Sequence, residues 1–218
     1  EYVWSDSVAA RSYGVFRWIY DLVEADHIPV AVHFPEYQGL GFYTIEAKAT
    51  IPAFKNLKIV VQTHGPTEWT LELNKTPITS PDLNLQIHME KESVKGCDFL
   101  VSPSQYMVDW LQNNNYLDEE ACVKVLKNLP GKDLENYQKI NKRNKTKSTD
   151  IREIIYFGRH EERKGIRQFL EAISASKKLL SDADCIVSFV GPLGIIGGTP
   201  SVLLICDCLL YTSPSPRD

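Results

Sequence analysis

Six short apolar runs recur along the sequence, at residues 29–34, 58–63, 98–102, 123–126, 154–157 and 185–190. They are rich in valine, isoleucine and phenylalanine, and apolar residues do not alternate with polar ones. Strands of a parallel sheet have this pattern because helices cover both faces of the sheet. A loop and a helical stretch follow most runs. The pattern therefore predicts an α/β fold, an open parallel sheet with right-handed crossovers.

Helix start and stop signals lie between the runs. Ser80, followed by proline, predicts an N-cap, and Gly96 predicts the C-cap of the same helix. Ser102 predicts a second N-cap, with a capping box that continues to Gln105. One apolar face should follow it, formed by Tyr106, Met107, Trp110 and Leu111. After Gly165, apolar residues at 166, 169, 170 and 173 have the spacing of an amphipathic helix.

The polar segment 131–150 is the best domain boundary, because it holds six basic residues, three acidic residues and only three sizeable apolar ones. We therefore predict a first domain over 1–130, a linker over 131–150 and the start of a second domain over 151–200. The second domain has room for one βαβ unit. Residues 201–218 end in a segment rich in serine and proline, and we interpret them as a non-native tail outside the fold.

The composition and net charge limit the classes of partner that the chain could bind. The chain is 43% hydrophobic and 24% charged, and its net charge of −4 gives no basic excess for nucleic acid. No apolar run is long enough to span a bilayer. The five cysteines include no C-x-x-C pair, which predicts reduced thiols and a cytoplasmic protein. Peripheral association with a membrane surface stays open.

Two loops in the first domain carry candidate chemistry. Gly39 and Gly41 precede a predicted helix, but Thr44 stands where a dinucleotide fingerprint needs its third glycine. The loop is therefore either a tight turn or a ligand loop at the carboxyl edge of the sheet. His64 follows the second run, before a Gly-Pro turn. It either fixes its own loop or faces a ligand, where it could donate to a sugar hydroxyl or phosphate, or act as a weak base.

The densest charged string follows the fifth run, FGRHEERKGI at residues 157–166. Arg159 and Lys164 would lie at the N-terminus of the next helix, where free N–H groups and the helix dipole favour anions. The two cations could hold a diphosphate and neutralise the charge on a leaving one. The alternative is a solvated charged loop. No histidine pair has metal-ligand spacing, and no nucleophile elbow or P-loop is present, so we predict no metal site.

Four strings together resemble the GT-B glycosyltransferases of family 4. They are HFPEYQGLG, VVQTHGP, DFLVSPSQYMVDWL and FGRHEERKGIRQFLEA, and the similarity covers roughly residues 29–195. The resemblance implies two Rossmann-like domains facing a cleft. It also implies transfer of a sugar from a nucleotide-diphosphate sugar, with retention and without a metal or other cofactor. The acceptor is a glycan, a lipid or a small molecule, and the base and sugar of the donor are left open.

The resemblance also implies residue roles. Arg159 and Lys164 match the pair that grips the donor diphosphate and stabilises the leaving group, with Gly158 and Gly165 as flanking glycines. His64 matches a histidine near the transferred sugar. The loop of Gly39 and Gly41 would face donor or acceptor from the first domain.

The sequence departs from the family pattern at both ends. The Gly-rich loop after an earlier strand is absent, and so is the paired-glutamate motif of the second domain. We therefore expect an N-terminal domain that lacks its start, the first βαβ unit of the second domain, and an inactive fragment of an active enzyme. Two alternatives stay open: a sugar-nucleotide epimerase on the same architecture, and a non-catalytic sugar or nucleotide-binding module.

Overall fold

A computed structural model of the chain describes residues 7–128 and 151–210, which form two compact units. The first unit holds residues 7–70 and 77–128, and the second holds residues 71–76 and 151–210. The predicted linker, 131–150, and the last part of the predicted tail, 211–218, lie outside the described residues.

The first unit contains a parallel sheet of four strands in the order β1-β2-β3-β4. The strand bounds are β1 Ala31–Pro35, β2 Lys58–Gln62, β3 Phe99–Ser102 and β4 Val123–Val125. Each strand falls on a predicted apolar run, within two residues at either end. The α/β class and the parallel sheet are thus confirmed and are compatible with a Rossmann-like fold. The GT-B architecture stays a prediction.

Helices flank this sheet. Their bounds are α1 Val8–Glu24, α2 Phe42–Thr50, α3 Thr67–Leu73, α4 Pro81–Lys95 and α5 Gln105–Asn113, with 3-10 turns at Tyr37–Gly39 and Pro52–Phe54. Helix α1 is a feature that the sequence analysis did not predict. It buries Ile19 and Val23 in the core, and Ser7 caps it by accepting a hydrogen bond from the N–H of Ala10.

The predicted caps of α4 are confirmed, since Ser80 accepts from the N–H of Leu83 and Gly96 ends the helix. The predicted N-cap of α5 is wrong. Ser102 is the buried last residue of β3, and its hydroxyl donates to the carbonyl of Ser104 instead. Ser104 is the N-cap and accepts from the N–H of Met107.

The apolar face predicted for α5 is correct in part. Three of its residues are buried, namely Met107, Trp110 and Leu111, but Tyr106 is 57% exposed. Because α5 begins two residues later than Ser102 would place it, Tyr106 lies in the first turn at the solvent side.

The second unit is built on a βαβ unit, as predicted. Strands β5 Glu153–Phe157 and β6 Ile186–Val190 pair in parallel. The elements α6 Ile166–Ala175 and α7 Lys177–Asp182 connect them, and the short strands β7 Ile195–Ile196 and β8 Thr199–Pro200 precede α8 Ser201–Leu210. The apolar spacing of α6 is confirmed, because Ile166, Leu170 and Ile173 are all buried.

One face of the β5–β6 sheet is packed, and the other is exposed. Tyr156 and Phe189 lie in the core against α6, whereas Ile155, Phe157 and Ile186 are 53%, 83% and 64% exposed. Successive side chains of a strand point to opposite faces, so a strand covered on one side only shows this alternation. The expectation that both faces of these two strands are covered is therefore wrong for the described residues.

A polar clamp holds the amino edge of the first unit's sheet. Asp98 pairs with Lys48, at 2.5 Å, and accepts from the N–H of Ile59, at 2.7 Å. Burial alone would raise the pKa of Asp98, but the hydrogen bonds from Lys48 and Ile59 outweigh it, so the pKa lies below its usual 3.8.

We expect Asp98→Asn to lower the free energy of unfolding of the first unit by about 1–3 kcal/mol at pH 7, because a charge-assisted clamp is lost. A depressed folded-state pKa stabilises above the unfolded value of 3.8. The difference between variant and wild type should therefore shrink as the pH falls below that value. Urea unfolding followed by tryptophan fluorescence measures it, since Trp18, Trp69 and Trp110 lie in this unit.

Glu46→Gln is the matched control, because Glu46 is an exposed carboxylate on α2. A pH-independent deficit in the Asp98 variant, or an equal deficit in the control, would contradict the clamp.

Candidate functional site

Strands β1 and β2 end side by side at the carboxyl edge of the sheet, where Pro35 pairs with Gln62. The loops that follow these strands therefore meet at that edge. In open α/β sheets this edge is where ligands bind. The loops bring Glu36 and His64 together, and the sequence analysis predicted a role only for His64.

Glu36 is a wholly buried carboxylate that organises the His64 loop. Its Oε1 accepts from the backbone N–H groups of His64 and Gly65, both at 2.6 Å. Its Oε2 lies 3.2 Å from Nδ1 of the His64 ring. One side chain from the β1 loop thus fixes both the backbone and the ring of the β2 loop.

The His64 imidazole is fixed on one side and open on the other. Its Nδ1 also lies 3.1 Å from the backbone carbonyl of Gln62, and the side chain is 56% exposed. The structure therefore places His64 at the carboxyl edge of the sheet, in contact with solvent. Such a ring can exchange a hydrogen bond or a proton with a ligand.

A second buried carboxylate, Glu90 on α4, supports the same two loops. It accepts from the N–H of Gln38, at 2.9 Å, and from the N–H and hydroxyl of Thr67, at 2.6 and 2.7 Å. Gln86 donates to it as well, at 3.0 Å. Burial raises the pKa of Glu90, and the hydrogen bonds from Thr67, Gln38 and Gln86 offset only part of that effect.

Packing explains both glycines of the β1 loop. Gly39 is buried with a φ of +58°, and a Cβ there would lie 2.5 Å from Cβ of Met89. A Cβ on Gly41 would lie 3.0 Å from the ring of Phe34. Close approach of the loop to α4 and β1 therefore requires small residues at both positions. Their predicted contact with a ligand stays a prediction.

In the second unit, the charged string spans a strand-to-helix junction, as its sequence pattern predicts. It follows β5, passes through a 3-10 turn at Glu162–Lys164 and leads into α6. Its side chains divide into two groups. His160 and Glu162 are buried, whereas Arg159 and Lys164 are exposed. The two predicted diphosphate ligands are thus the ones that solvent can reach.

Tyr156, in β5, ties the two cationic positions together. Its hydroxyl lies 3.0 Å from the carbonyl oxygen of Arg159 and 3.3 Å from that of Lys164, and donates to this pair. Burial and the nearby Glu161 carboxylate raise the pKa of Tyr156, so the hydroxyl keeps its proton. A single buried donor therefore fixes both ends of the loop.

Charge is only partly balanced in this loop. Glu161 lies 3.6 Å from Arg159 and 2.8 Å from Arg163, so two guanidinium groups share one carboxylate. Lys164 makes no ion pair with any residue of the described ranges 7–128 and 151–210. Gly165 is the N-cap of α6, with a φ of +74°, and no side chain caps that helix. Free N–H groups and a net positive loop favour an anion here.

Two glycines let the loops after β5 and β6 touch. Gly158 and Gly191 have φ values of +151° and +148°, and a Cβ on Gly191 would overlap the carbonyl of Gly158. The N–H of Gly158 donates to the carbonyl of Val190, and that of His160 donates to Pro192, at 2.9 and 3.0 Å. The close backbone contact with the loop after β6 therefore supports the Arg159 loop.

The remaining residue of the string with a distinct environment is His160. Its Nδ1 lies 3.3 Å from the hydroxyl of Ser201, and its ring packs edge-on against Tyr156. Burial lowers the pKa of His160, which favours a neutral ring inside the unit.

Four residues that shape these loops were not predicted as site residues: Glu36, Glu90, Tyr156 and Gly191. Two of them carry a sequence signal. Glu36 stands two residues after the apolar run 29–34, and Glu90 stands three residues from Ile87 on the apolar face of α4. Tyr156 has no such signal, because an aromatic residue inside a strand is ordinary core.

A cavity of the second unit lies elsewhere. It has a volume of about 470 Å³, and Leu170 and Leu204 from α6 and α8 line it with Arg167 and Asp207. None of the predicted site residues borders it. We therefore do not assign it to this site.

Other site chemistries find no support in the part of the chain that the structure describes. No cluster of three or more His, Cys, Asp or Glu side chains is arranged to hold a metal ion there. No described helix is long and apolar enough to cross a membrane. All five cysteines fall in the described ranges, and each is a free thiol.

Comparison with known proteins assigns the chain to no family. No protein-family model matches the chain, and no curated protein matches it significantly. The function is therefore inferred from the geometry of the two loops and from the resemblance of the sequence strings.

We expect Gly191→Ala to destabilise the second unit more than Gly158→Ala does. Both glycines have almost the same φ, so each alanine costs about 1–2 kcal/mol of backbone strain. Only the Gly191 variant must also displace a backbone carbonyl, which adds about 1–3 kcal/mol. Amide hydrogen exchange in residues 153–157 and 186–190 measures the difference. Equal exchange in both variants would contradict the close contact.

Proposed function

We propose that this chain is part of a glycosyltransferase that takes a sugar from a nucleotide-diphosphate sugar, without a metal ion and with retention, and that the chain by itself is inactive. The observation that carries the proposal is the junction after β5. There, Arg159 and Lys164 are exposed on one loop, and the Tyr156 hydroxyl joins their backbones beside an uncapped helix N-terminus.

The chemistry of transfer matches this arrangement. The bond between the anomeric carbon and the diphosphate oxygen breaks, and its electron pair leaves with the nucleoside diphosphate. The acceptor hydroxyl oxygen forms the new bond, and its proton passes to the departing phosphate. Negative charge thus grows on the diphosphate, where fixed cations and helix N–H groups lower the barrier. These groups do the work for which other enzymes use a divalent metal.

Each cation has a distinct role in the proposal. Lys164 is a flexible point charge with no ion pair among described residues, so it is free to follow the phosphate. Arg159 offers a planar fork for two phosphate oxygens. Its contact with Glu161 spans 3.6 Å and involves an Arg159 side chain that is 66% exposed, so it is weak enough to exchange for a phosphate.

We assign the contacts with the transferred sugar to residues of the first unit. His64 is exposed at the carboxyl edge of its sheet, and buried Glu36 holds it there. The loop of Gly39 and Gly41 borders the same edge, next to Gln38, whose N–H is bound by Glu90. We assign His64 to contact with the transferred sugar and this loop to contact with donor or acceptor.

Titration with inorganic diphosphate, UDP and GDP tests the second-unit site. We expect amide shifts confined to residues 158–168 in nuclear magnetic resonance spectra of the chain at constant ionic strength. Arg159→Gln and Lys164→Gln should each weaken binding about tenfold, because each removes a charge-assisted hydrogen bond. Both variants should keep the wild-type spectrum elsewhere.

Lys178→Gln is the matched control, since it removes the same charge from an exposed position on α7. Equal weakening by the control, or shifts spread over the surface, would overturn the diphosphate site. Transfer assays on the bound donor then separate the alternatives. Turnover of the nucleotide sugar without an acceptor would indicate an epimerase, and donor binding without transfer by the full-length protein would indicate a binding module.

A further inference from the structure

The Nδ1 atom of His64 faces two oxygens. One belongs to the Gln62 backbone carbonyl, at 3.1 Å, and the other to the Glu36 carboxylate, at 3.2 Å. A backbone carbonyl can only accept a hydrogen bond. Nδ1 must therefore carry a proton, which it shares between both oxygens. In a neutral imidazole, the other ring nitrogen then has a free lone pair.

That lone pair is available. Nε2 of His64 receives no hydrogen bond from the residues that the structure describes, and more than half of the side chain is in solvent. The ring therefore presents an acceptor, not a donor, at the carboxyl edge of the sheet.

Glu36 is built to hold this state. It is 0% exposed, so water does not compete for its oxygens. Oε1 is fixed by the two backbone N–H groups of His64 and Gly65, at 2.6 Å each, and this fixes the direction of Oε2. The Glu36 carboxylate thus contacts both the backbone of the His64 loop and the His64 ring.

We propose that Glu36 is a positioning residue that locks neutral His64 in the Nδ1–H form, so that Nε2 accepts a hydrogen bond from a substrate hydroxyl. That the hydroxyl belongs to a sugar rests on the proposed function. A phosphate oxygen without a proton cannot donate a hydrogen bond to this lone pair, whereas every sugar hydroxyl can. The sequence left two partners open for His64, a sugar hydroxyl and a phosphate. The acceptor lone pair on Nε2 favours the sugar hydroxyl.

Glu36→Gln is the sharpest variant. The amide oxygen of glutamine can keep both backbone hydrogen bonds, but its NH₂ group replaces the oxygen that faces Nδ1. A donor then opposes a donor, which favours moving the ring proton to Nε2, whereas the Gln62 carbonyl at 3.1 Å still favours the Nδ1–H form. We expect the ratio of the two neutral forms to shift about tenfold toward Nε2–H, the change that one hydrogen bond produces.

Long-range ¹H–¹⁵N spectra of the histidine rings measure this ratio directly at pH 8. Glu46→Gln, the same change at an exposed position of the same unit, should leave His64 in the Nδ1–H form. A purely structural role of Glu36 would change backbone amides without moving the ring proton. If wild-type His64 itself carries its proton on Nε2, or if Glu36→Gln leaves the ratio unchanged, the proposal is wrong.

Acylation by diethyl pyrocarbonate gives an independent readout, because an unprotonated ring nitrogen attacks a carbonyl of the reagent and displaces ethyl carbonate. We expect wild-type His64 to react readily and the Glu36→Gln variant to react several-fold more slowly. His33, exposed on β1, is the internal reference in the same digest. Dimethyl phosphate, which carries no proton at neutral pH, should not protect His64, and protection would overturn the assignment to a hydroxyl.

These outcomes are distinguishable from those of the diphosphate titration. Failure of diphosphate to bind residues 158–168 would remove the transferase but leave the acceptor ring of His64 intact. Failure of the ring measurements would remove the role of Glu36 while the second-unit site stands.

Discussion

A carboxylate buried at the end of β1 is the interaction on which the first unit's edge depends. Glu36 accepts three hydrogen bonds from the loop after β2, two from the backbone and one from the His64 ring. A buried carboxylate is costly unless its oxygens are satisfied. These oxygens are satisfied only when the His64 loop takes one conformation. The hydrogen bonds that offset the cost of burying Glu36 therefore also fix the position of the exposed His64 ring.

The second unit obtains the same precision with neutral groups. The Tyr156 hydroxyl fixes the carbonyls of Arg159 and Lys164, and the contact between Gly158 and Gly191 supports the loop from below. In both units, buried groups on regular strands and their first loop residues hold exposed groups that carry charge or a lone pair. Such preorganisation is what electrostatic catalysis requires, because no reorganisation is needed when charge develops.

The sequence was strongest where structure is local or periodic. The strands β1 to β6, the cap of α4 by Ser80 and the buried face of α6 could be predicted, since each depends on spacing within one segment. It was weaker where two signals competed. Ser102 and Ser104 both precede α5, and only the pairing of Ser102 into β3 decides that Ser104 caps the helix.

By itself, the sequence determined the α/β class, the parallel strands and the exposed pair Arg159 and Lys164 at a strand-to-helix junction. These follow from hydrophobic periodicity and from charge placed directly after a strand. Only the tertiary structure decided that Glu36 grips His64, and that the hydroxyl of Tyr156 joins its two cationic neighbours. Glu36 and His64 are 28 positions apart, so no pattern within one segment encodes their contact. The Tyr156 hydroxyl reaches carbonyls three and eight positions away, and that contact depends on the turn that the folded loop makes after β5.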